Sequence, residues 1–235
     1  MIKIEKVEVV GWEPAIRGMR NPKNSWNKSD SDYSFKAPDG TPCIGGNDLE
    51  LMMTLRNAGT DHRKYMRMIV IYADITAPLY WWKEFDTYKV GTVRNSCSTM
   101  HKLMEKEFTR EDFSYEHLED MPLIVSTAVL CGIERYNIMG STTLDVVIAT
   151  LNNARLNYLK GKENGADYHT LKRYWWQMIQ LLPSSYNQKS TVMMNYEVLA
   201  NMYHSRRIHK LDEWREFCKW IESLPYSELI TGGEE

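Results

Sequence analysis

Apolar residues recur along this chain with two periods, which separate a β-rich beginning from a mostly helical remainder. Residues 2–10 carry β-branched side chains in imperfect alternation and predict a first strand. Residues 11–39 sustain no period. Gly, Pro, Asn, Ser and Asp punctuate them, most densely in NPKNSWNKSDSDYS, so a long ordered loop is expected. Asn47 is placed to cap a helix running to Ala58 on Leu49, Met52, Met53 and Leu55, with Gly59 as its stop. Residues 65–75, YMRMIVIYADI, read as a strand that Pro78 breaks, and residues 81–85 read as a short helix.

Further on, residues 99–107 read as helix and 110–119 as a charged connection. Residues 123–140 are strongly apolar, and their length favours helix over strand. Ser141 and Thr142 are placed to cap a long helix with Leu144, Val147, Ile148 and Leu151 on its apolar side and Gly161 past its end. A helix over 168–182 stops at Pro183, and Ser190 or Thr191 is expected to cap another through Ser205. Residues 211–223 form an amphipathic helix with Leu211, Trp214, Phe217, Cys218 and Ile221 on one side. The sum is an α+β fold, a small antiparallel sheet with several long helices. One domain over 1–235 is expected: strand and long loop to 40, helix, strand and a pocket stretch over 41–101, a helical part over 102–229, and a frayed tail over 230–235.

Composition narrows the classes. With 43% hydrophobic and 26% charged residues over 235 positions, the chain can bury a core and is not of the disordered class. A net charge of -2 removes any bulk attraction to a nucleic-acid polymer or an acidic membrane, whereas a nucleotide monomer requires only a local cationic pocket. Cys43, Cys97, Cys131 and Cys218 form no CxxC pair and have no matching His spacing, so neither a metal site nor a disulfide framework is expected. No apolar run has signal-peptide or transmembrane length, which predicts a cytoplasmic protein without a membrane partner. Fourteen Met and eight Trp suit a large irregular core or an oligomer interface, and a purely structural oligomer is one reading of them.

The densest candidate chemistry lies in residues 78–101, PLYWWKEFDTYKVGTVRNSCSTMH. Tyr80, Trp81, Trp82 and Phe85 lead into a polar tract around Gly91. Directed hydrogen-bonding side chains beside a large aromatic surface suit a pocket for a planar, partly charged ligand; a surface loop beside a core helix is the plainer alternative. Cys97, between Ser96 and Ser98 and one turn from His101, is either a nucleophile or an inert buried thiol. Arg17 and Arg20 either reach a phosphate or are solvated.

Residues 181–214, LLPSSYNQKSTVMMNYEVLANMYHSRRIHKLDEW, resemble the C-terminal part of the flavin-dependent thymidylate synthases. Leu182-Pro183 stands for that family's turn and Asn195 for the Asn of its N-x-R helix. Asn201 and Arg206 keep its spacing between a flavin-contacting Asn and a pyrimidine-contacting Arg, and Trp214 falls near its Trp. Residues 45–101 are similar in element order: a helix, a Gly59-Thr60-Asp61-His62 segment like the family's glycine-then-Glu-His, a strand, and a stretch where the family carries R-H-R-x-x-S and a second Ser. With Ser96 on that second Ser, Asp86, Thr87 and Tyr88 stand in place of Arg-His-Arg, and Gly91 in place of the first Ser. Glu197 replaces the Arg of N-x-R, and Ile179 falls near an Arg used on the nucleotide phosphate.

The resemblance implies FAD as cofactor, a folate one-carbon donor and NADPH as co-substrates, a pyrimidine deoxynucleotide as substrate, and a homotetramer with shared sites. It implies Arg206 as the catalytic cation and a substrate contact, and His62, Asn201 and Tyr88 as cofactor contacts. Lys89, Arg94, Ser96 and Ser98 would rebuild the substrate site in a different pattern. The replaced arginines imply either an altered substrate or a non-catalytic nucleotide-binding protein of the same fold, because a carboxylate cannot do the work of a guanidinium on a phosphate.

Overall fold

The computed structural model describes residues 2–37, 40–118, 122–129 and 132–232. In chain order its elements are β1 (Lys3–Val10), α1 (Trp12–Arg20), β2 (Asp32–Lys36), β3 (Pro42–Cys43), α2 (Gly46–Asn57), β4 (Val70–Pro78), α3 (Leu79–Phe85) and β5 (Thr92–Ser96). There follow α4 (Thr99–Lys102), β6 (Pro122–Val129), β7 (Gly132–Met139), α5 (Gly140–Glu163), α6 (Tyr168–Leu181), β8 (Asn187–Asn195), α7 (Tyr196–Arg206), α8 (Asp212–Glu222) and α9 (Glu228–Thr231). The chain divides into two compact units.

The sheet unit takes in Ile2–Thr76, Trp81–Ser96 and the chain from Lys189 onward. Its strands lie in the order β1-β4-β8-β5. β1 and β4 are antiparallel, with Lys3 opposite Thr76 and Val10 opposite Val70, and the register shifts between Glu5 and Glu8. β5 is an edge strand running antiparallel to β8, Thr92 opposite Met194 and Ser96 opposite Ser190. The helix α8 buries the side that its pattern predicts, and Trp214 and Phe217 pack with Trp81 at centroid distances of 4.9 and 5.5 Å.

Three expectations change here. The loop expected over 11–39 contains α1, because Trp12, Ala15, Ile16 and Met19 fall at helical spacing and are all buried. Gly11 permits its sharp entry: φ is 94°, and a Cβ there would stand 2.0 Å from the Met68 carbonyl oxygen. The helix expected from Ser190 or Thr191 is instead β8, which buries Ser190, Val192 and Met194 alternately. The cap falls to Asn195, whose Oδ1 accepts from the Val198 N–H at 2.8 Å and starts α7. The strand expected from residue 65 begins only at Val70, after a 3-10 turn over Arg63–Arg67 that buries Tyr65 and Met66.

The second unit comprises Ala77–Tyr80 and Cys97–Gln188. α5 and α6 pack around Leu103, Phe108, Phe113, Leu144, Leu151 and Met178. Asp167 caps α6 by accepting from the His169 and Thr170 N–H groups. The apolar 123–140 segment, expected as helix, is the antiparallel pair β6 and β7, with Pro122 opposite Met139 and Val129 opposite Gly132. Its β-branched residues outweigh its length as a signal. The helix expected over 99–107 is the single turn α4, and Gly161 lies within α5 rather than beyond it. Residues 102–229 therefore hold β6, β7 and β8 beside their helices. Of the tail expected to fray, Ile230 is buried in α9, and residues 233–235 lie outside the described residues. No helix among the described residues is long and apolar enough to cross a membrane, and none of their His, Cys, Asp and Glu side chains form a metal-binding group.

Candidate functional site

The sheet unit contains a cleft of about 1130 Å³ between the end of α1, the loop that follows it, α2, and the turn before β4. This exceeds the roughly 300–1,000 Å³ of ordinary small-molecule pockets. The loop is braced from below. Arg20, 4% exposed, donates from Nε to Asp48 Oδ1 at 2.6 Å, and Asp48 is fully buried. Asp48 Oδ2 also accepts from the Ser29 hydroxyl (2.7 Å), the Ser31 hydroxyl (2.6 Å) and the Asp30 and Ser31 N–H groups. Asp30 in turn accepts from the Asn47 and Asp48 N–H groups, supplying the α2 cap that the sequence suggested Asn47 would give. Burial pushes the Asp48 carboxyl up, but the Ser31 and Ser29 hydroxyls, the Arg20 guanidinium and the Asp30 amide outweigh it and hold it below its ordinary value. Arg20 Nη1 donates to the Ser25 carbonyl at 3.3 Å; Nη2 is buried with no partner. His62, Lys23, Lys28 and Lys64 also line the cleft, with Glu50 and Asp61 as its acids.

A second polar cluster joins the end of α7 to α3 and α8. Arg206 donates from Nη1 to Glu84 Oε2 at 2.7 Å and from Nε to the Tyr88 hydroxyl at 3.0 Å, and His209 Nε2 lies 3.0 Å from Nη1. Trp214 donates to the same Glu84 oxygen at 2.9 Å, and its ring lies 4.8 Å from the guanidinium. Tyr88 and Arg206 are thus brought together, but as partners of each other and, through Arg206, of Glu84. Sequence reasoning missed Glu84; its one signal was the helical i,i+4 spacing to Tyr88 across the end of α3.

The remaining expected residues are dispersed. His62 is in the cleft wall. Asn201 Oδ1 accepts from Arg63 Nη2 at 3.2 Å, and Glu197 is paired with both Arg63 and Arg67, so the carboxylate that replaces an arginine is itself answered by two. Arg94 lies 3.9 Å over the Trp82 ring and donates to Asp86 (2.7 Å) and to the Ser190 hydroxyl (2.9 Å). Lys89 and Ser96 are exposed, the latter on the β5 edge. Gly91 belongs to the backbone and not to a ligand: its φ is 85°, and a Cβ would stand 2.6 Å from Asn195 Nδ2. In the second unit, Ser98 Oγ accepts from the Met100 N–H at 3.2 Å, and Cys97 is exposed rather than buried. Burial pushes the Cys218 thiol up to about 11, which leaves it protonated and unreactive. The cleft lysines were also missed, since lysines in a turn-rich stretch read as solvated until the walls around them are known.

No protein-family model matches this chain, and no curated protein sequence matches it. Solved structures do. Thymidylate synthase X (ThyX) from Helicobacter pylori with FAD and dUMP is 16% identical, with a TM-score of 0.62 over 98% of each chain. A second structure of that flavin-dependent enzyme with FAD and dUMP is 16% identical, with a TM-score of 0.60 over 97% of this chain and 98% of the other. The UMP/dUMP methylase PolB from Streptomyces cacaoi, bound with 5-Br dUMP, is 13% identical, with a TM-score of 0.54 over 95% of this chain and 89% of the other. At such identities the likeness is one of fold, and the chain has a ThyX-like α+β fold, as its sequence led one to expect.

Proposed function

We propose that this protein binds a pyrimidine deoxynucleotide and FAD and methylates the pyrimidine with a folate one-carbon donor, with NADPH as reductant, on a substrate altered from that of the flavin-dependent thymidylate synthases. The cleft carries this reading: it is a large, partly cationic cavity with an orphaned guanidinium donor, in a fold whose solved neighbours hold FAD and dUMP. The residues around it fit a cofactor bearing phosphate, since Lys23, Lys28 and Lys64 line the cleft with positive charge in front of the buried, unsatisfied Arg20 Nη2. Asp86, Thr87 and Tyr88 do not fit that role. FAD, when bound, supplies reducing equivalents.

The chain's own residues position and polarise. His62 stands where it reaches a ring or ribityl group in the cleft, and Asn201 is oriented by Arg63. Arg206 has Nε and Nη1 committed within the chain, and Nη2 is the donor assigned to charge developing on the pyrimidine. Tyr88 holds that guanidinium in plane, so it acts through Arg206. Arg94 and Ser96 belong to the β5 edge and Lys89 to the turn before it, where we assign them to substrate; Ser98 is assigned to substrate from the second unit. The same reading makes the protein one domain in function and a cytoplasmic homotetramer, which sedimentation tests.

The test is the visible spectrum of the purified protein before and after addition of FAD and desalting, followed by turnover of Arg206→Ala. Retained flavin absorbance and loss of turnover in the variant are expected. A colourless protein, or a variant as active as its parent, overturns the reading. A second reading, a nucleotide-binding protein without flavin chemistry, is favoured by one observation: Glu84 and Asp86 neutralise Arg206 and Arg94. It requires heat of nucleotide binding from a colourless protein.

A further inference from the structure

Most cations of the sheet unit meet an acceptor built into the chain. Arg206 meets Glu84, Arg94 meets Asp86, Arg63 and Arg67 meet Glu197, and Lys189 meets Asp74. Arg56 donates to the Leu229 and Ile230 carbonyls at the end of α9. The cleft gathers three that lack such a partner. Among the described residues Lys23, Lys28 and Lys64 are paired with no carboxylate, and the Arg20 guanidinium keeps one buried nitrogen unsatisfied. Glu50 and Asp61 are the acids of the lining, so its charge is net positive.

The four cations divide the work of holding an anion. Asp48 cancels most of the charge of Arg20 but locks its plane, because Nε and Nη1 are both held and the group is almost wholly buried. Such a guanidinium fixes the loop that carries Lys23 and Lys28. The exposed lysines, Lys23 and Lys28 in the loop and Lys64 in the turn, contribute charge. We propose that the cleft anchors the phosphate groups of its ligand through the ammonium groups of Lys23, Lys28 and Lys64, held in place by the buried Arg20 guanidinium, so that the phosphate charge expected at residues 86–88 is met from the loop after α1 and the turn before β4. This rests on the cleft being the ligand site and adds where the phosphate lies. A nucleotide phosphate and a flavin diphosphate share the chemistry, and the measurement separates them.

The 235-residue chain is titrated by calorimetry with inorganic pyrophosphate, FAD and dUMP, each against wild type, Lys23→Gln/Lys28→Gln and Arg20→Lys. Both lysines are exposed, so the double variant keeps its fold, which a thermal melt verifies; Arg20→Lys tests the bracing of the loop where it remains folded. Wild type is expected to bind pyrophosphate, and the double variant to bind it about tenfold more weakly, as loss of charge-assisted contacts requires. Whichever of FAD and dUMP weakens by the same factor is the source of the anchored phosphate. Pyrophosphate that fails to bind wild type, or binds the double variant equally well, overturns the anchor. If pyrophosphate binding depends on the lysines while neither FAD nor dUMP binds, the anchor stands and the proposed function falls. If FAD or dUMP binds both proteins equally, the function stands and the anchor falls.

Discussion

Arg206 and Arg20 are both guanidinium groups tied to a carboxylate in the sheet unit, and they are left in opposite states. Around Arg206 the side chains of Glu84, Tyr88, His209 and Trp214 converge from three parts of the chain and close the group into one network. Around Arg20 the ion pair is deeper, yet one nitrogen has no acceptor and the neighbouring lysines have no acid. An ion pair by itself therefore does not make a cation unavailable. Each guanidinium keeps Nη2 unbonded, and what separates the two is access: that of Arg20 is buried, whereas the Arg206 side chain is 19% exposed, so at the cleft the available charge is that of the lysines.

The largest effect should come from the brace beneath the cleft. Asp48→Ala strands the buried Arg20 and is expected to cost about 3–5 kcal/mol in urea unfolding, as breaking a buried ion pair does. The acid limb of the stability curve checks the same group. Because the folded carboxyl is held below its unfolded value, its contribution is complete above the ordinary carboxylate range and is lost as pH falls through the lowered value. Asp48→Asn should lack that limb; a variant with the wild-type limb would show that other carboxylates supply it. Next, Glu84→Ala removes the acceptor shared by Arg206 and Trp214 and is expected to cost about 1.5–3 kcal/mol. Its pyrophosphate affinity should match wild type, and a parallel loss would mean that the Arg206 network also shapes the phosphate anchor.

Much of the fold was legible where a segment's pattern and its environment agree. α8 repeats Trp214, Phe217, Cys218 and Ile221 on one side and buries that side. β8 was not legible, because Ser190 and Thr191 are good caps in isolation, and only the pairing with β4 and β5 makes them strand residues. α1 was hidden by the polar stretch that follows it. At the candidate site, the spacing of Asn201 and Arg206 could be read, but the Glu84 that occupies Arg206 is 122 positions away. No local pattern reports an ion pair of that separation. The cleft itself depends on how loop, helix and turn enclose space, which hydrophobic periodicity does not encode.

A smaller effect probes the joint between β5 and α7. Gly91→Ala forces a side chain into a left-handed backbone, at about 1–2 kcal/mol. It also presses on Asn195, whose side chain starts the helix carrying Asn201 and Arg206. Thermal melting should fall, while pyrophosphate binding at the cleft should not change. Loss of both would couple the β5 edge to the cleft.

The smallest expected effect is the sharpest discriminator. Lys23→Gln/Lys28→Gln alters two exposed side chains of a loop whose position is fixed by Asp30, Asp48 and Arg20, so its stability should stay within about 0.5 kcal/mol of wild type. A cation whose role is binding leaves its mark in salt dependence instead. Pyrophosphate affinity of wild type should weaken as ionic strength rises and screens the lysines, and that dependence should flatten in the double variant. Glu84→Ala inverts the pattern: it loses stability and keeps the salt dependence. If the lysine variant instead unfolds early with its salt dependence unchanged, these side chains support the loop and do not bind an anion.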